Sequence, residues 1–367
     1  MRRFALLLLF LNLARPLSAA TQVSVSQLEE FLLSRRASKE TDAELAHQLS
    51  SIQLSEHLTD SRLAGICAKL RVGPKTAEQL DLLAISSVFE VPPSAELPSV
   101  SPPDSLRQQQ IMESARAYTA ATIHDLPDFI ALRLTRAFDN APQFTGKRHS
   151  KPEIGLHFVR EHRREVTFRA GQEILASRGT GSGGEESRTI DSEGLSTWGE
   201  FGPILTTILG DSLKGRVVWN RWQNSASGKV LAVFRYSVPK PASHDWIDLC
   251  CYLTSLENPQ FLSFRDKPAY HGDLYIDPAS GAIFGITLEA ELSEDAPLRV
   301  SKISVQYDKV EIGGKNYVCP VRGVALSIVH DLQMERLDGV GLERFVNVVR
   351  FTDYHKFGST ARILNSY

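Results

Sequence analysis

The sequence lacks the short motifs that mark the commoner catalytic sites. It has no G-x-S-x-G turn for a serine nucleophile, no H-E-x-x-H helix for zinc and no C-x-x-C pair for redox chemistry. We therefore predict no catalytic residues, no bound metal and no cofactor. A protein that is not an enzyme is favoured.

The sequence also lacks an apolar run long enough to cross a membrane. The run from Phe4 to Leu11 follows Arg2 and Arg3 and leads to the small residues Ser18-Ala19-Ala20. That order is typical of a cleavable signal peptide, whereas a membrane anchor needs roughly 20 apolar residues. We expect residues 1–20 to be removed and the protein to be periplasmic or secreted. No cysteine near the cleavage site could accept a lipid, so no membrane anchor is expected.

An excess of positive charge is missing as well. The chain has 41 basic and 43 acidic residues, and removing residues 1–20 takes away three basic residues, which changes the net charge from −2 to −5. This balance gives no indication of a nucleic-acid partner. With 42% hydrophobic and 23% charged residues, the composition is that of a globular protein, and 367 residues suffice for two domains.

Cysteine is scarce, with only Cys67, Cys250, Cys251 and Cys319. Four cysteines in an oxidising compartment allow three full disulfide pairings, which the sequence cannot rank. Cys250 and Cys251 lie in a predicted strand, where neighbours point to opposite faces, so we expect them not to bond each other. Cys319 with Cys250 or Cys251 is the favoured bridge, and four buried free thiols are the alternative.

The first part of the chain predicts a small helical domain at 21–91. Apolar residues recur at helical spacing in about four short segments. Three of these segments carry the spacing of a capping box: Ser26 with Glu29, Thr41 with Glu44, and Thr76 with Gln79. A proline-rich linker at 92–103 follows, because its five prolines cannot continue a helix. Asp104 is then predicted to cap a helix that ends near His124.

From Phe129 onwards the period of the apolar residues changes from near 3.6 to 2. Short turns join successive runs, so the strands are predicted to be antiparallel neighbours in a curved, open sheet. The fold class is therefore α+β, with a helical domain followed by an antiparallel β half-barrel at 104–367. The predicted strands cover 129–138, 154–160, 164–170, 215–222, 229–238, 246–253, 269–277, 281–290, 299–310, 315–329 and 344–356.

One helix interrupts these strands and is predicted to lie on the concave face of the sheet. It begins at Pro203, within the segment 198–213, and its apolar side would face aromatic residues of two adjacent strands. A filled core is one interpretation and an apolar ligand cavity with the helix as its lid is the other. The predicted ligand-binding residues are Trp198, Phe201, Leu205, Ile208, Leu209, Trp219 and Phe234.

A glycine-rich loop, a basic run and three histidine–acid groups are weaker candidates for a functional site. The loop at 179–184 has the spacing G-x-G-x-x-G, but no helix follows it, so we interpret it as a flexible loop. A basic run at 160–164 is predicted to lie at a hairpin turn. Three groups of histidine and acidic residues also occur. They are His244 with Asp245 and Asp248, His271 with Asp273, and Asp353 with His355. The last two have both members on one face of a strand and could share a proton or a metal, although no third ligand is apparent.

Two segments carry a resemblance to a known fold. The stretch from Tyr270 to Gly281, YHGDLYIDPASG, and the stretch from Val305 through Ile312-Gly313-Gly314 to Pro320 resemble strand-turn-strand signatures of LolA/LolB-like lipoprotein carriers. The whole chain resembles a group of uncharacterised exported bacterial proteins. The resemblance implies a half-barrel with a helix in its concavity and, as a partner, a lipid or lipoprotein acyl chain.

Two functions are therefore expected from the sequence. The first is an exported, soluble protein that binds an apolar ligand or acyl chain in the concavity. The second is a periplasmic interaction or scaffold protein with a solid core and no ligand there, in which the helical domain contacts a protein partner. A cavity of at least roughly 300 Å³ would favour the first and a filled core the second.

Overall fold

The computed structural model describes residues 21–38, 40–142, 155–169, 172–175, 195, 200 and 203–356, and it confirms an α+β fold. The helices in these residues are α1 (Val25–Ala37), α2 (Asp42–Leu49), α3 (Asp60–Leu70), α4 (Pro74–Ser86), α5 (Ser105–Asp125), α6 (Pro203–Asp211) and α7 (Leu332–Asp338). The strands are β1 (Thr21–Val23), β2 (Ile52–Leu54), β3 (Phe129–Asp139), β4 (His157–Arg169), β5 (Gln172–Leu175), β6 (Arg216–Asn224), β7 (Val230–Val238), β8 (Ile247–Leu253), β9 (Phe261–Asp266), β10 (Ala269–Ile276), β11 (Ile283–Glu291), β12 (Leu298–Ile312), β13 (Lys315–His330) and β14 (Leu342–Lys356). None of the helices in these ranges is long and apolar enough to cross a membrane.

Helices α1 to α4 and the short parallel pair β1–β2 form one unit around a core of leucines. The capping box predicted at Thr41 and Glu44 is confirmed, because both reciprocal hydrogen bonds are present. The box predicted at Ser26 is wrong, since α1 begins two residues earlier, with Ser24 as the N-cap and Gln27 as its partner. Local side-chain signals therefore predict where these two helices begin, to within two residues.

The start of α4 is fixed by a contact that is distant in sequence. The box predicted at Thr76 is wrong, because the helix begins at Pro74 after Gly73. The Asp42 carboxylate accepts hydrogen bonds from the backbone N–H groups of Lys75 and Thr76, each at 3.0 Å. A side chain of α2 thus satisfies the donors at the N-terminus of α4 that a local cap usually satisfies.

Helix α5 begins as predicted, with the Asp104 side chain accepting from the backbone N–H of Arg107 at 2.8 Å. Before it, the proline-rich segment runs past the β6–β7 hairpin. The indole Nε1 of Trp222 donates to the carbonyl of Ser101 at 2.9 Å, and the Asn224 amide donates to the carbonyl of Glu96 at 3.2 Å. The segment is therefore bound to the edge of the sheet where it passes.

Ten strands form one open antiparallel sheet in the order β5-β4-β3-β14-β13-β12-β11-β10-β7-β6. Strands β10 to β14 are the predicted meander, but the whole sheet is not one. Strand β3 pairs with β14 at the far end of the chain, and β7 pairs directly with β10. The strand predicted at 246–253 was wrongly placed in this sheet, because β8 pairs with β9 in a separate two-stranded hairpin.

Two turn predictions have opposite outcomes. Strands β12 and β13 are joined at Gly313-Gly314, both at positive φ, which is the two-residue hairpin turn expected from the sequence. The turn predicted at 160–164 is wrong, since that segment lies inside β4, a single strand paired along its length with β3. The arginines there are residues of a strand and not of a turn.

The sheet carries helices on both faces. We call the face with Phe234, Leu274 and Ile286 the α6 face, because α5 and α6 pack on it. We call the face with Val324 and Val346 the α4 face, because α4 packs on it. The sheet is thus the middle layer between α5 and α6 on one side and the first helical unit on the other.

The cysteine prediction is wrong. Cys250 and Cys251 are bonded to each other, at a register shift between β8 and β9 where the regular alternation of side chains is interrupted. Cys319 is buried and free, and Cys67 is also a free thiol. Burial raises the pKa of Cys319 well above its usual range, so the thiol is protonated at neutral pH.

The turn between β10 and β11 contacts α5 closely. Gly281 adopts a positive φ of 76°, and a Cβ atom there would clash with the backbone and side chain of Ser114. Nearby, a terminal guanidinium nitrogen of Arg107 donates to the carbonyl of Pro278 at 2.7 Å. Gly281 is therefore required both by the positive φ of the turn and by the close approach of α5.

Candidate functional site

The α6 face brings together most of the predicted ligand-binding residues. Leu205, Ile208 and Leu209 of α6 pack in one apolar cluster with Phe234 of β7, and Trp219 of β6 packs against it. The rings of Trp219 and Phe234 meet edge to face with centroids 5.5 Å apart. Trp198, Phe201 and the glycine loop at 179–184 lie outside the described residues.

Helix α5 packs on the same face, which the sequence did not predict. Its residues Ile111, Met112 and Ala115 join the cluster formed by α6 and the sheet. Beside Leu205 and Tyr307 there remains a cavity of about 30 Å³. A space of that size is about that of one water molecule and far below the several hundred cubic ångströms of a ligand pocket. At this place, among the described residues, the α6 face is therefore packed too closely to hold a ligand of that size.

A buried carboxylate fixes the C-terminal end of α6 to the sheet. Asp211 accepts hydrogen bonds from the Tyr270 hydroxyl at 2.8 Å and from the backbone N–H of His244 at 2.8 Å. Its other oxygen lies 2.6 Å from Nδ1 of His244. Because Asp211 is only 4% exposed, these contacts replace the hydration that the carboxylate loses.

A second acid lies beside this cluster. Burial, with the nearby charge of Asp211 as the smaller cause, raises the pKa of Asp245 to about 6. Burial also raises the pKa of Tyr270, so its hydroxyl stays a hydrogen-bond donor to Asp211 at any ordinary pH. The arrangement around Asp211 is therefore suited to holding α6, and its stability should depend on pH.

The histidine and acid groups expected from the sequence do not assemble as metal or proton-sharing sites. His244 contacts Asp211, while Asp248 pairs with Arg265. His271 lies near Glu289 and Glu291, and not on Asp273. His355 contacts the carbonyl of Asp353, at an irregularity in β14. Within the described residues no group of three or more His, Cys, Asp or Glu side chains could hold a metal ion.

A buried ion pair on the α6 face was also not predicted. Arg133 of β3 is 7% exposed, and one of its terminal nitrogens lies 3.1 Å from Glu200 Oε1. The guanidinium carbon lies 5.7 Å from the ring centre of Phe351, and the Tyr307 hydroxyl donates to the Glu200 carbonyl at 3.3 Å. Sequence spacing could not find this group, because its members are up to 218 positions apart.

The opposite side of the sheet is open. A cleft of about 1100 Å³ lies between the first helical unit and the α4 face. We call it the α4-face cleft. One wall is formed by α3, its preceding loop and the start of the linker, and the other by β11, β12 and β13 with the β6–β7 turn. Lining residues include His57, Asp60, Gly65, Glu96, Gln223, Asn224, Ser225, Tyr275, Phe284, Ser304, Gln306 and Arg322.

Most charges at the α4-face cleft are paired within the protein. Arg62 forms an ion pair with Glu29 at 2.5 Å, and Arg322 forms one with Asp60 at 3.2 Å across the cleft. The Thr59 hydroxyl donates to Glu96 Oε2 at 2.8 Å. Burial lowers the pKa of His57 to about 4, so this imidazole is neutral at pH 7.

Two buried polar atoms, one from each wall of the α4-face cleft, are not satisfied within the described residues. Among the residues that the structure describes, Nε of Arg322 and Oε1 of Glu96 have no hydrogen-bond partner. An unsatisfied buried donor or acceptor costs roughly 1–3 kcal/mol. A bound molecule that accepts from one and donates to the other, after small side-chain rotations, would recover part of that cost.

A buried network lies beyond the end of the α4-face cleft, next to Tyr275. Asp273 is 3% exposed and accepts from Arg221 and from Nε of Arg235, each at 2.9 Å. Arg221 also donates to the Tyr275 hydroxyl at 3.3 Å. The carboxylate raises the pKa of Arg235, so this guanidinium group stays charged. This network fixes the position of the Tyr275 ring.

Comparison of the chain with protein-family models, with curated proteins and with solved structures found no match. The resemblance to LolA/LolB-like carriers therefore stays a prediction.

Proposed function

We propose that this chain is an exported, non-enzymatic binding protein whose α6 face is a solid core and whose binding site is the α4-face cleft. The proposal develops the interaction-protein alternative and sets aside the acyl-chain concavity. One observation carries it: among the described residues, the cavity beside α6 has about 30 Å³, whereas the α4-face cleft has about 1100 Å³. Ligand pockets are typically a few hundred to about a thousand cubic ångströms.

Export is part of the proposal and rests on the sequence. The order of Arg2-Arg3, an apolar run and small residues at 18–20 supports removal of a signal peptide. Expression in a Gram-negative host, followed by intact mass measurement of the protein from the periplasm and medium, tests this. We expect a chain that begins near Thr21, and an unprocessed cytoplasmic chain would contradict it.

A carrier of apolar ligands would need α6 to leave the sheet. Ile208 is fully buried and Asp211 holds the end of the helix by three contacts, so this movement would expose a large apolar surface. The experiment is native mass spectrometry of the purified protein with solvent extraction, followed by titration with a fluorescent fatty acid. We expect no extracted lipid and no saturable binding. A bound lipid, or fatty-acid binding that Ile208→Trp abolishes, would overturn the proposal.

A further inference from the structure

The charged side chains that line the α4-face cleft do not favour a charged ligand. Its ionic groups are largely paired with one another, as in Arg322 with Asp60 and Arg62 with Glu29. His57 adds a neutral imidazole. A charged ligand would have to compete with these internal pairs, whereas a neutral polar ligand would leave them intact.

Hydroxyl and amide groups supply most of the remaining polarity. They come from both walls and are Ser61, Gln223, Asn224, Ser225, Ser304 and Gln306. Side chains of these types can each donate and accept. Ser61, Gln223, Asn224 and Ser225 already form hydrogen bonds within the protein, and each keeps further donor or acceptor capacity. Together with the unsatisfied Nε of Arg322 and Oε1 of Glu96, judged within the described residues, they suit a ligand that has donors and acceptors on adjacent atoms. Vicinal hydroxyl groups of a sugar have this property.

The backbone around the α4-face cleft does not favour a peptide. Its sheet wall is formed by β11, β12 and β13, each of which is hydrogen bonded on both sides within the ten-stranded sheet. Its other wall is the side of α3, whose backbone groups bond within the helix. Recognition of an extended peptide usually relies on main-chain pairing at a free strand edge. The edge strand β6 reaches the cleft only at Gln223 and Asn224, where the linker already lies against it through the Asn224 amide.

Aromatic residues give the cleft apolar surface as well. Tyr275 and Phe284 both line it. Each ring has a cation close to it, the Arg221 guanidinium carbon 5.8 Å from the Tyr275 centroid and Lys229 Nζ 4.8 Å from that of Phe284. Phe284 is only 9% exposed and belongs to the apolar cluster under the cleft, whereas Tyr275 is half-buried. The Tyr275 ring, held in this way, can pack against the C–H face of a sugar ring with little loss of side-chain entropy.

We infer that the α4-face cleft binds a neutral oligosaccharide, an inference that rests on the proposed function and names its ligand class. The hydroxyl and amide side chains bind the sugar hydroxyl groups, and Tyr275 packs against a sugar ring.

Two glycines provide a matched pair of variants for the test. A Cβ added at Gly65, in the middle of α3, meets nothing within 4 Å, and Gly65 lines the cleft. Gly210, in α6, has the same free space but lies outside the cleft. Gly65→Trp should place its indole in the cleft from a position where the Cβ is unobstructed, and Gly210→Trp should add the same side chain elsewhere. Gln306→Ala is a milder second change in the cleft.

The experiment is calorimetric titration of the full chain with maltopentaose, cellopentaose and chitopentaose, supported by an array of neutral glycans. We expect saturable binding of at least one glycan, at least about tenfold weaker binding in Gly65→Trp and Gln306→Ala, and an affinity within about twofold in Gly210→Trp. Circular dichroism melting of each variant confirms folding.

Two results would overturn the inference. The first is that no neutral glycan binds, and the second is that glycan binding is unchanged in Gly65→Trp. A peptide that binds instead and is blocked by Gly65→Trp would overturn the oligosaccharide but leave the cleft as the binding site. Fatty-acid binding abolished by Ile208→Trp would overturn the proposed function itself, so the two failures are distinguishable.

Discussion

The α6 face and the α4 face of the same sheet are covered in different ways. On the α6 face two helices pack on the sheet in one apolar cluster, beside a cavity of about 30 Å³ among the described residues. On the α4 face one helix packs on the sheet, and a cleft of about 1100 Å³ lies beside it. Helix α4 buries Leu80 and Leu83 in its own unit and Leu82 and Ile85 against the sheet. Because α4 divides its apolar residues between two clusters, it covers only part of the α4 face of the sheet, and the cleft lies beside it.

The largest effect should come from the filled face. We expect Ile208→Ala to lower the free energy of unfolding by about 2–5 kcal/mol, because Ile208 is fully buried and its loss leaves a cavity between α6 and the sheet. Urea denaturation followed by circular dichroism measures this. Leu213→Ala is the control, since Leu213 is 66% exposed and should change stability by less than about 0.5 kcal/mol. A loss below about 1 kcal/mol at Ile208 would mean that the face is loosely packed.

A somewhat smaller effect is expected at the end of α6. Asp211→Ala leaves the Tyr270 hydroxyl and the backbone N–H of His244 without their acceptor, which should cost about 2–3 kcal/mol. Asp211→Asn keeps an acceptor and should cost less. Denaturation of the three proteins in parallel gives the comparison. Equal stability of wild type and Asp211→Ala would contradict the role given to this carboxylate.

The acid beside it, Asp245, predicts a pH dependence of folding stability on the α6 side of the sheet. The folded-state pKa of Asp245 is about 6, above the ordinary value of 3.8, so the folded state binds the proton more tightly than the unfolded state does. Its contribution is therefore favourable below about pH 4 and is lost as the pH rises to about 6. Compared with Asp245→Asn, the wild-type protein should lose roughly 2 kcal/mol across this window. Parallel pH profiles of the two proteins would refute the assignment.

The smallest effect should come from the ion pair across the α4-face cleft. Asp60 is largely exposed, and its pair with Arg322 should contribute about 0–1 kcal/mol to folding. A double-mutant cycle of Asp60→Ala and Arg322→Met measures the coupling. A coupling above about 2 kcal/mol would show that this bridge, and not the packing of α4, holds the helical unit on the sheet.

Features fixed by local chemistry were predicted well. Thr41 caps α2, Asp104 caps α5, Pro203 begins α6 and Gly313-Gly314 turns the longest hairpin, as the sequence indicates. In each case the residues that decide the geometry are close neighbours in sequence. The positions of α6, Trp219 and Phe234 on one face followed from the same local periodicity.

Features fixed by distant contacts were missed. The cap of α4 comes from Asp42 in another helix, and β4 is one strand because β3 pairs with it throughout, although its polar sequence favours a turn. The α4-face cleft arises where α3 meets β12, about 240 residues later in the chain. No spacing rule connects such residues. The sequence therefore predicted a ligand site on the α6 face and gave no sign of the cleft on the α4 face.

The most direct test of the account is hydrogen–deuterium exchange of the α6 amides, compared with those of β7. If the α6 face is a solid core, both segments should exchange only through global unfolding, with opening free energies equal to that from urea denaturation. Opening of α6 at a free energy several kcal/mol lower, and its slowing by a fatty acid, would show a mobile lid over an apolar site and contradict the account.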